Sequence, residues 1–124
     1  MLGRTGQYEA GRLTLGRRAG RLAADAIREV AAAVAPGVST AALDQVAEAF
    51  IRAHGGVPSF KHYRGYPASI CTSINDEVVH GIPGPRILQA GDIVSLDLGV
   101  LLDGFHGDVA VTVPVGLVGH DVRR

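Results

Sequence analysis

The stretch that most constrains this chain runs from Ile93 to Val113, IVSLDLGVLLDGFHGDVAVTV. Apolar and polar residues alternate on both sides of Asp103-Gly104, a pair suited to the positive φ angles of a two-residue hairpin turn. With those two residues as the loop, Leu102 lies opposite Phe105 and the remaining register follows. Leu98 then faces Val109, Leu96 faces Val111 and Val94 faces Val113, so these side chains build one apolar wall. The opposite face carries Ser95 with Thr112, Asp97 with Ala110, Gly99 with Asp108 and Leu101 with His106. Asp97 and Asp108 become diagonal neighbours, roughly 7–8 Å apart at the backbone, and Gly99 leaves room beside both.

Two carboxylates so placed resist joint ionisation unless a cation or hydrogen-bond donors lie between them. A divalent metal ion with oxygen ligands satisfies that arrangement. Alternation by itself is also the ordinary pattern of an antiparallel sheet with one solvated face. A one-residue bulge would shift the register.

The rest of the chain supplies what the hairpin's apolar wall needs. Residues 1–11 read as a loose, Gly-rich lead-in, and the pattern from about Arg12 to Ala35 predicts a helix. Ala23, Ile27, Val30 and Val34 recur at helical spacing, and Pro36-Gly37 stops the run. Ser39 or Thr40 can cap a second helix whose stripe is Leu43, Val46, Ala47, Phe50 and Ile51, ended by Gly55-Gly56. Residues 57–67 (VPSFKHYRGYP) read as an aromatic loop marked by Gly and Pro. Ile70–Ile74 and Glu77–His80 predict short strands about a turn near Asn75-Asp76, and Gly81–Arg86 reads as a connection. Helices followed by strands predict an α+β fold, an antiparallel sheet with helices on one face.

Composition narrows the classes. The chain has 124 residues, 47% hydrophobic and 19% charged, with zero formal net charge. That fits one modest globular domain and gives no electrostatic footprint for nucleic acid. Arg12, Arg17, Arg18 and Arg21 read as a solvated helix face. Cys71 is the single cysteine, so an intrachain disulfide is excluded and a reducing compartment is the default. No apolar run reaches the length of a membrane span, and the expected location is cytoplasmic.

Taken with the hairpin, GYPASICTSINDEVVHGIP (Gly65–Pro83) resembles the methionine aminopeptidases, closest to the bacterial type I enzymes. Matching pieces are Tyr66-Pro67, Ile70-Cys71, Ser73-Ile74-Asn75, Glu77, Val78 to Pro83, Gly91-Asp92, the Asp97 strand and Asp103 to Asp108. RRAGRLAADAI and PGVSTAALD are similar to the family's N-terminal segments, so the resemblance runs from about Gly16 onward. It implies the pita-bread α+β fold, in which two similar halves close around two divalent metal ions. By the same resemblance Asp97 and Asp108 are metal ligands, Asp108 the bridging one. His80 is the histidine that contacts substrate near the scissile amide and serves catalysis. Tyr63, Tyr66 and Cys71 line the methionine side-chain pocket, with Phe60 a looser match.

The implied activity is removal of the N-terminal methionine from nascent proteins by metal-activated water. Cobalt, manganese, iron and zinc all suit oxygen and histidine ligands, so the ion is left open. Several residues have plainer readings: His80 as a turn cap, Cys71 as a small buried hydrophobe, and Tyr63 and Tyr66 as loop anchors. His62 stands where the family commonly has a small residue, His106 has no metal role in the family, and His120 has no counterpart.

The family's domain is about twice this length, and its remaining ligands, a histidine and two glutamates, come from its second half. Residues 12–124 therefore correspond to an N-terminal half, expected to be inactive or nearly so alone. Its expected partners are N-terminal Met-peptides and either a C-terminal half or a second copy of the chain. The other reading is a non-catalytic binding or self-associating pita-bread fragment.

Overall fold

The computed structural model describes residues 6–61, 63–75 and 81–116, and side chains from residue 16 onward with Arg64 excepted. Helix α1 spans Gly6–Ala32. It therefore starts earlier than the predicted Arg12, because Gln7, Glu9 and Ala10 are helix formers that outweigh the isolated glycines. It also stops before Ala35. Ala35 precedes Pro36, a position that disfavours helical φ and ψ. The Ala33 and Val34 amides instead donate to Val30 and Ala31 at 3.0 and 3.2 Å, tightening the last turn ahead of Gly37.

Helix α2 spans Thr40–Ala53, and the Ser39 Oγ accepts a hydrogen bond from the Ala42 amide at 3.1 Å, as a cap should. Its far end closes through the Gly56 amide on the Ile51 carbonyl, with Gly55 at φ +84°. That is the left-handed ending the glycine pair predicts.

Strand β1 (Val57–Pro58), β2 (Ile70–Ile74), β3 (Ile93–Leu102) and β4 (Phe105–Pro114) form one antiparallel sheet with β3 at its centre. The β3–β4 register is the predicted one at every pair from Val94–Val113 to Leu102–Phe105. Asp103 and Gly104 take φ +54° and +83°, the two positive values the turn demands. The other edge of β3 is shared. β2 pairs with its first half, Cys71 opposite Asp97, and β1 pairs Val57 and Pro58 with Leu101 and Val100.

β1 departs from the expectation of an irregular 57–67 segment, as does the 3-10 turn at Tyr63–Gly65. A two-residue strand containing proline has no periodicity to read, and its pairing is set by tertiary contact. The predicted Glu77–His80 strand lies outside the described residues.

The two helices pack on one face of the sheet. Leu22, Ala23, Ala26, Ile27 and Val30 of α1 meet Leu43, Ala47 and Ile51 of α2 and the inward residues of the strands. Val94, Leu96, Leu98 and Val100 are all 0–1% exposed there. On β4, Val109, Val111 and Val113 complete the wall while keeping partial exposure. The alternation of β3 thus sends one set of side chains to the core and the other to the opposite face.

Candidate functional site

That opposite face is organised in cross-strand rows. Cys71, Asp97 and Ala110 form one, because β2 and β4 both pair with β3 at Asp97. The next row is Ser59, Gly99 and Asp108. Here the Ser59 amide donates to the Gly99 carbonyl at 3.0 Å, and Gly99 is paired with Asp108. Asp97 and Asp108 therefore lie on one face, on adjacent strands, as the sequence predicts. Asp97 is half-buried and Asp108 exposed. A Cβ on Gly99 would stand 2.7 Å from the Asp108 Oδ1 and 2.5 Å from the Ser59 Oγ, so only glycine keeps this space open.

A cavity of about 610 Å³ opens beside Asp97, lined by Phe60, Tyr63, Gly65, Tyr66, Pro67, Cys71, Ile82 and Asp97. The three residues expected to form a side-chain pocket, Tyr63, Tyr66 and Cys71, are all in its wall. Phe60, the looser match, joins them by packing its ring edge-on against Tyr66 at 6.3 Å. Tyr66 is fixed by its hydroxyl, which donates to the Ile70 carbonyl at 2.9 Å and lies 3.4 Å from the Gly81 carbonyl. Burial pushes the Tyr66 phenol well above its ordinary range, and Cys71 adds to the shift. Burial likewise raises the Cys71 thiol, with Asp97 repelling the thiolate. Both side chains are therefore neutral at pH 7, and the pocket wall is apolar with one carboxylate. Tyr63, 64% exposed, stands at its mouth.

The loop carrying this wall is held to α2 by two acids that sequence reasoning passed over. Asp44 Oδ1 accepts from the Ser69 and Ile70 amides at 2.7 and 3.0 Å. Glu48 accepts from Lys61 Nζ at 2.7 Å and Arg52 Nε at 2.9 Å. The two contacts fasten both ends of the pocket loop. No local pattern announces them, since their partners in the loop lie 13 to 26 residues away.

Their titrations have opposite signs. Burial raises the Asp44 pKa from 3.8, outweighing the two amide donors, whereas the Lys61 and Arg52 hydrogen bonds lower Glu48 from 4.5. Stability from Asp44 is therefore full below 3.8 and declines as pH rises through its raised pKa. Asp44→Asn keeps an oxygen acceptor without the charge. It is expected to gain stability relative to wild type between about pH 3 and pH 6, read from urea denaturation at the two pH values. Glu48 is present in both proteins, and its charge is one of the causes that raise Asp44. A difference that stays constant with pH would refute the assignment.

His80, the expected catalytic residue, lies outside the described residues, as do His62 and His120. His106 is exposed on the site face opposite Leu101. Among the described residues, no three His, Cys, Asp or Glu side chains come together as a metal cluster. Asp97 and Asp108 nevertheless suit a divalent ion. Both offer acceptor-only oxygens of the kind hard cations take, on one face, and a gap that a Cβ would fill lies beside Asp108. They are a partial donor set.

A helix pair thus backs an antiparallel sheet whose far face carries two acids and an apolar cavity. The chain belongs to metallopeptidase family M24, whose model matches residues 15–124. Within that family its relatives are methionine aminopeptidases, as the sequence resemblance implied. It is 51% identical to methionine aminopeptidase 1 of Bacillus subtilis over 87% of this chain and 44% of that protein. With methionine aminopeptidase 1 of Mycobacterium tuberculosis the identity is 54%, over 89% of this chain and 42% of that protein. The crystal structure of methionine aminopeptidase from Rickettsia prowazekii superposes with a TM-score of 0.85 at 40% identity, covering 94% of this chain and 46% of that one. The fold is thus the pita-bread α+β, and the chain spans less than half the length of each of these three relatives. Family membership implies divalent metal ions. Among the described residues, no helix is long and apolar enough to cross a membrane.

Proposed function

We propose that this chain contributes the first two metal ligands and the side-chain pocket of a cytoplasmic methionyl aminopeptidase site. One observation carries the reading: Asp97 belongs both to the carboxylate face shared with Asp108 and to the wall of the 610 Å³ cavity. A ligand position and a side-chain pocket that share one residue support a reading in which the first residue of a peptide would sit next to the ions.

Asp97 and Asp108 would hold the ions, two in a complete site, of cobalt, manganese, iron or zinc. Divalent ions, when bound, supply a nucleophile at neutral pH and charge stabilisation at the scissile carbonyl. The chain's own side chains do the rest. Phe60, Tyr66, Cys71 and Ile82 exclude water around an unbranched apolar side chain, for which methionine is the flexible, polarisable fit. Neutral Tyr66 and Cys71 leave no competing charge beside it. His80 would donate a hydrogen bond at the scissile amide. The exposed polar face of β3 and β4 is where a C-terminal half or a second copy would pack.

Two carboxylates leave most coordination positions to water, so binding is expected to be weak, with a dissociation constant of about 10⁻⁴–10⁻³ M. Isothermal titration of the 124-residue chain with manganese should show this binding. The double variant Asp97→Ala, Asp108→Ala should lose it. The same wild-type sample should release no methionine from a Met-Ala peptide above background. Equal binding by wild type and variant, or none by either, would reject the ligand assignment. Rapid metal-dependent turnover would show that two carboxylates and the pocket suffice.

A further inference from the structure

Ser59 is the unexplained polar group of the site. Its Oγ is buried and makes no hydrogen bond, an arrangement that ordinarily destabilises a fold. The backbone gives it no choice of place, because the Ser59 amide is committed to the Gly99 carbonyl and β1 leads into it beside Val100 and Leu101. The point where a Gly99 Cβ would stand lies 2.5 Å from Ser59 Oγ, 2.7 Å from Asp108 Oδ1 and 3.0 Å from Phe60 Cε1. The hydroxyl and the carboxylate oxygen thus approach one small space from the two sides of β3, with the Phe60 ring beside it. Ser59 can donate, and a carboxylate is the strongest acceptor type available to a hydroxyl. Asp108 is exposed, and a turn about its own side-chain torsions brings a carboxylate oxygen to the hydroxyl.

We propose that Ser59 is a positioning residue for Asp108. Its hydroxyl donates to one carboxylate oxygen across Gly99 and so fixes which oxygen faces a divalent ion. The inference rests on the reading of Asp108 as a metal ligand and extends it to the group that orients that ligand. Such supporting hydrogen bonds commonly matter about 10- to 100-fold in metal affinity. It also gives Gly99 a reason beyond open space: a side chain there would separate donor from acceptor.

The test uses the full chain and manganese followed by electron paramagnetic resonance, with wild type, Ser59→Ala, Asp108→Asn and the double variant. Ser59→Ala should weaken manganese binding about tenfold, while in the Asp108→Asn background it should change binding by less than about twofold. In the metal-free chain, Ser59→Ala should move the Asp108 carboxylate-carbon resonance. It should leave the urea midpoint essentially unchanged, a combination that a purely structural role would not produce. Unchanged manganese affinity, an equal loss in both backgrounds, or an unmoved Asp108 resonance overturns the proposal. Should wild type bind no manganese while the resonance moves, the metal-ligand reading fails and the Ser59–Asp108 contact is supported.

Discussion

Gly107→Ala is expected to destabilise the chain by about 3 kcal/mol, the upper part of the usual range for overpacking, and to lower its Tm by roughly 10 °C or more. Gly107 is buried on β4, on the face that meets α1. A Cβ there would lie 2.5 Å from the Ala19 carbonyl oxygen, 2.6 Å from its carbon and 2.8 Å from the Gly20 nitrogen. All three are helix backbone atoms, which cannot swing aside as a side chain can. The helix must withdraw from the sheet, and the contacts of Leu22, Ala23 and Ala26 loosen with it. Asp108 is the next residue, so its carboxylate moves too.

The control lies across the same contact. A Cβ on Gly20 meets nothing within 4 Å, and replacing a helix-interior glycine by alanine stabilises by about 0.8–1 kcal/mol. Gly20→Ala is therefore expected to raise the urea midpoint while Gly107→Ala lowers it. A Gly107→Ala protein that melts like wild type would mean that α1 does not approach β4 this closely.

The hairpin was the most legible part of the sequence because its information is local. Asp103-Gly104 fixes the turn, the turn fixes the register, and the register places Asp97, Gly99 and Asp108 on one face without reference to the rest of the chain. The helices were legible in their faces but less so at their ends. The Gly6 start of α1 depended on summed propensities that scattered glycines obscure, and its end on backbone limits before Pro36. What could not be read is what long-range pairing creates. β1 exists only because Val57 and Pro58 meet the far end of β3, and that meeting alone puts Ser59 beside Gly99. Asp44 and Glu48 look like ordinary polar positions on an amphipathic helix until the pocket loop folds over them. That Tyr66 and Cys71 share a cavity wall was legible only through the family resemblance. Their neutrality at pH 7 follows from burial that only the folded chain reveals.

Leu98→Ala is expected to cost about 3–4 kcal/mol, within the range for a buried leucine, against a total stability of about 5–15 kcal/mol for a domain of this kind. Leu98 is 0% exposed, flanked in its row by Ile70 and Val109, and sits under the helix stripe. Asp108 is its diagonal neighbour, paired with the next residue of β3 and exposed on the opposite face. Asp108→Ala should change stability by less than about 0.5 kcal/mol and remove most of the manganese affinity. The two variants are thus expected to show opposite patterns. Leu98→Ala should shift the urea midpoint strongly while its folded fraction binds manganese as wild type does. Asp108→Ala should keep the midpoint and lose the binding. The separation follows from the two-residue period of the strand: the core face and the carboxylate face share one backbone but no side chains. If Leu98→Ala also abolished manganese binding in its folded fraction, the ligand face would depend on core packing. If Asp108→Ala also lowered the midpoint, the carboxylate would be part of the fold.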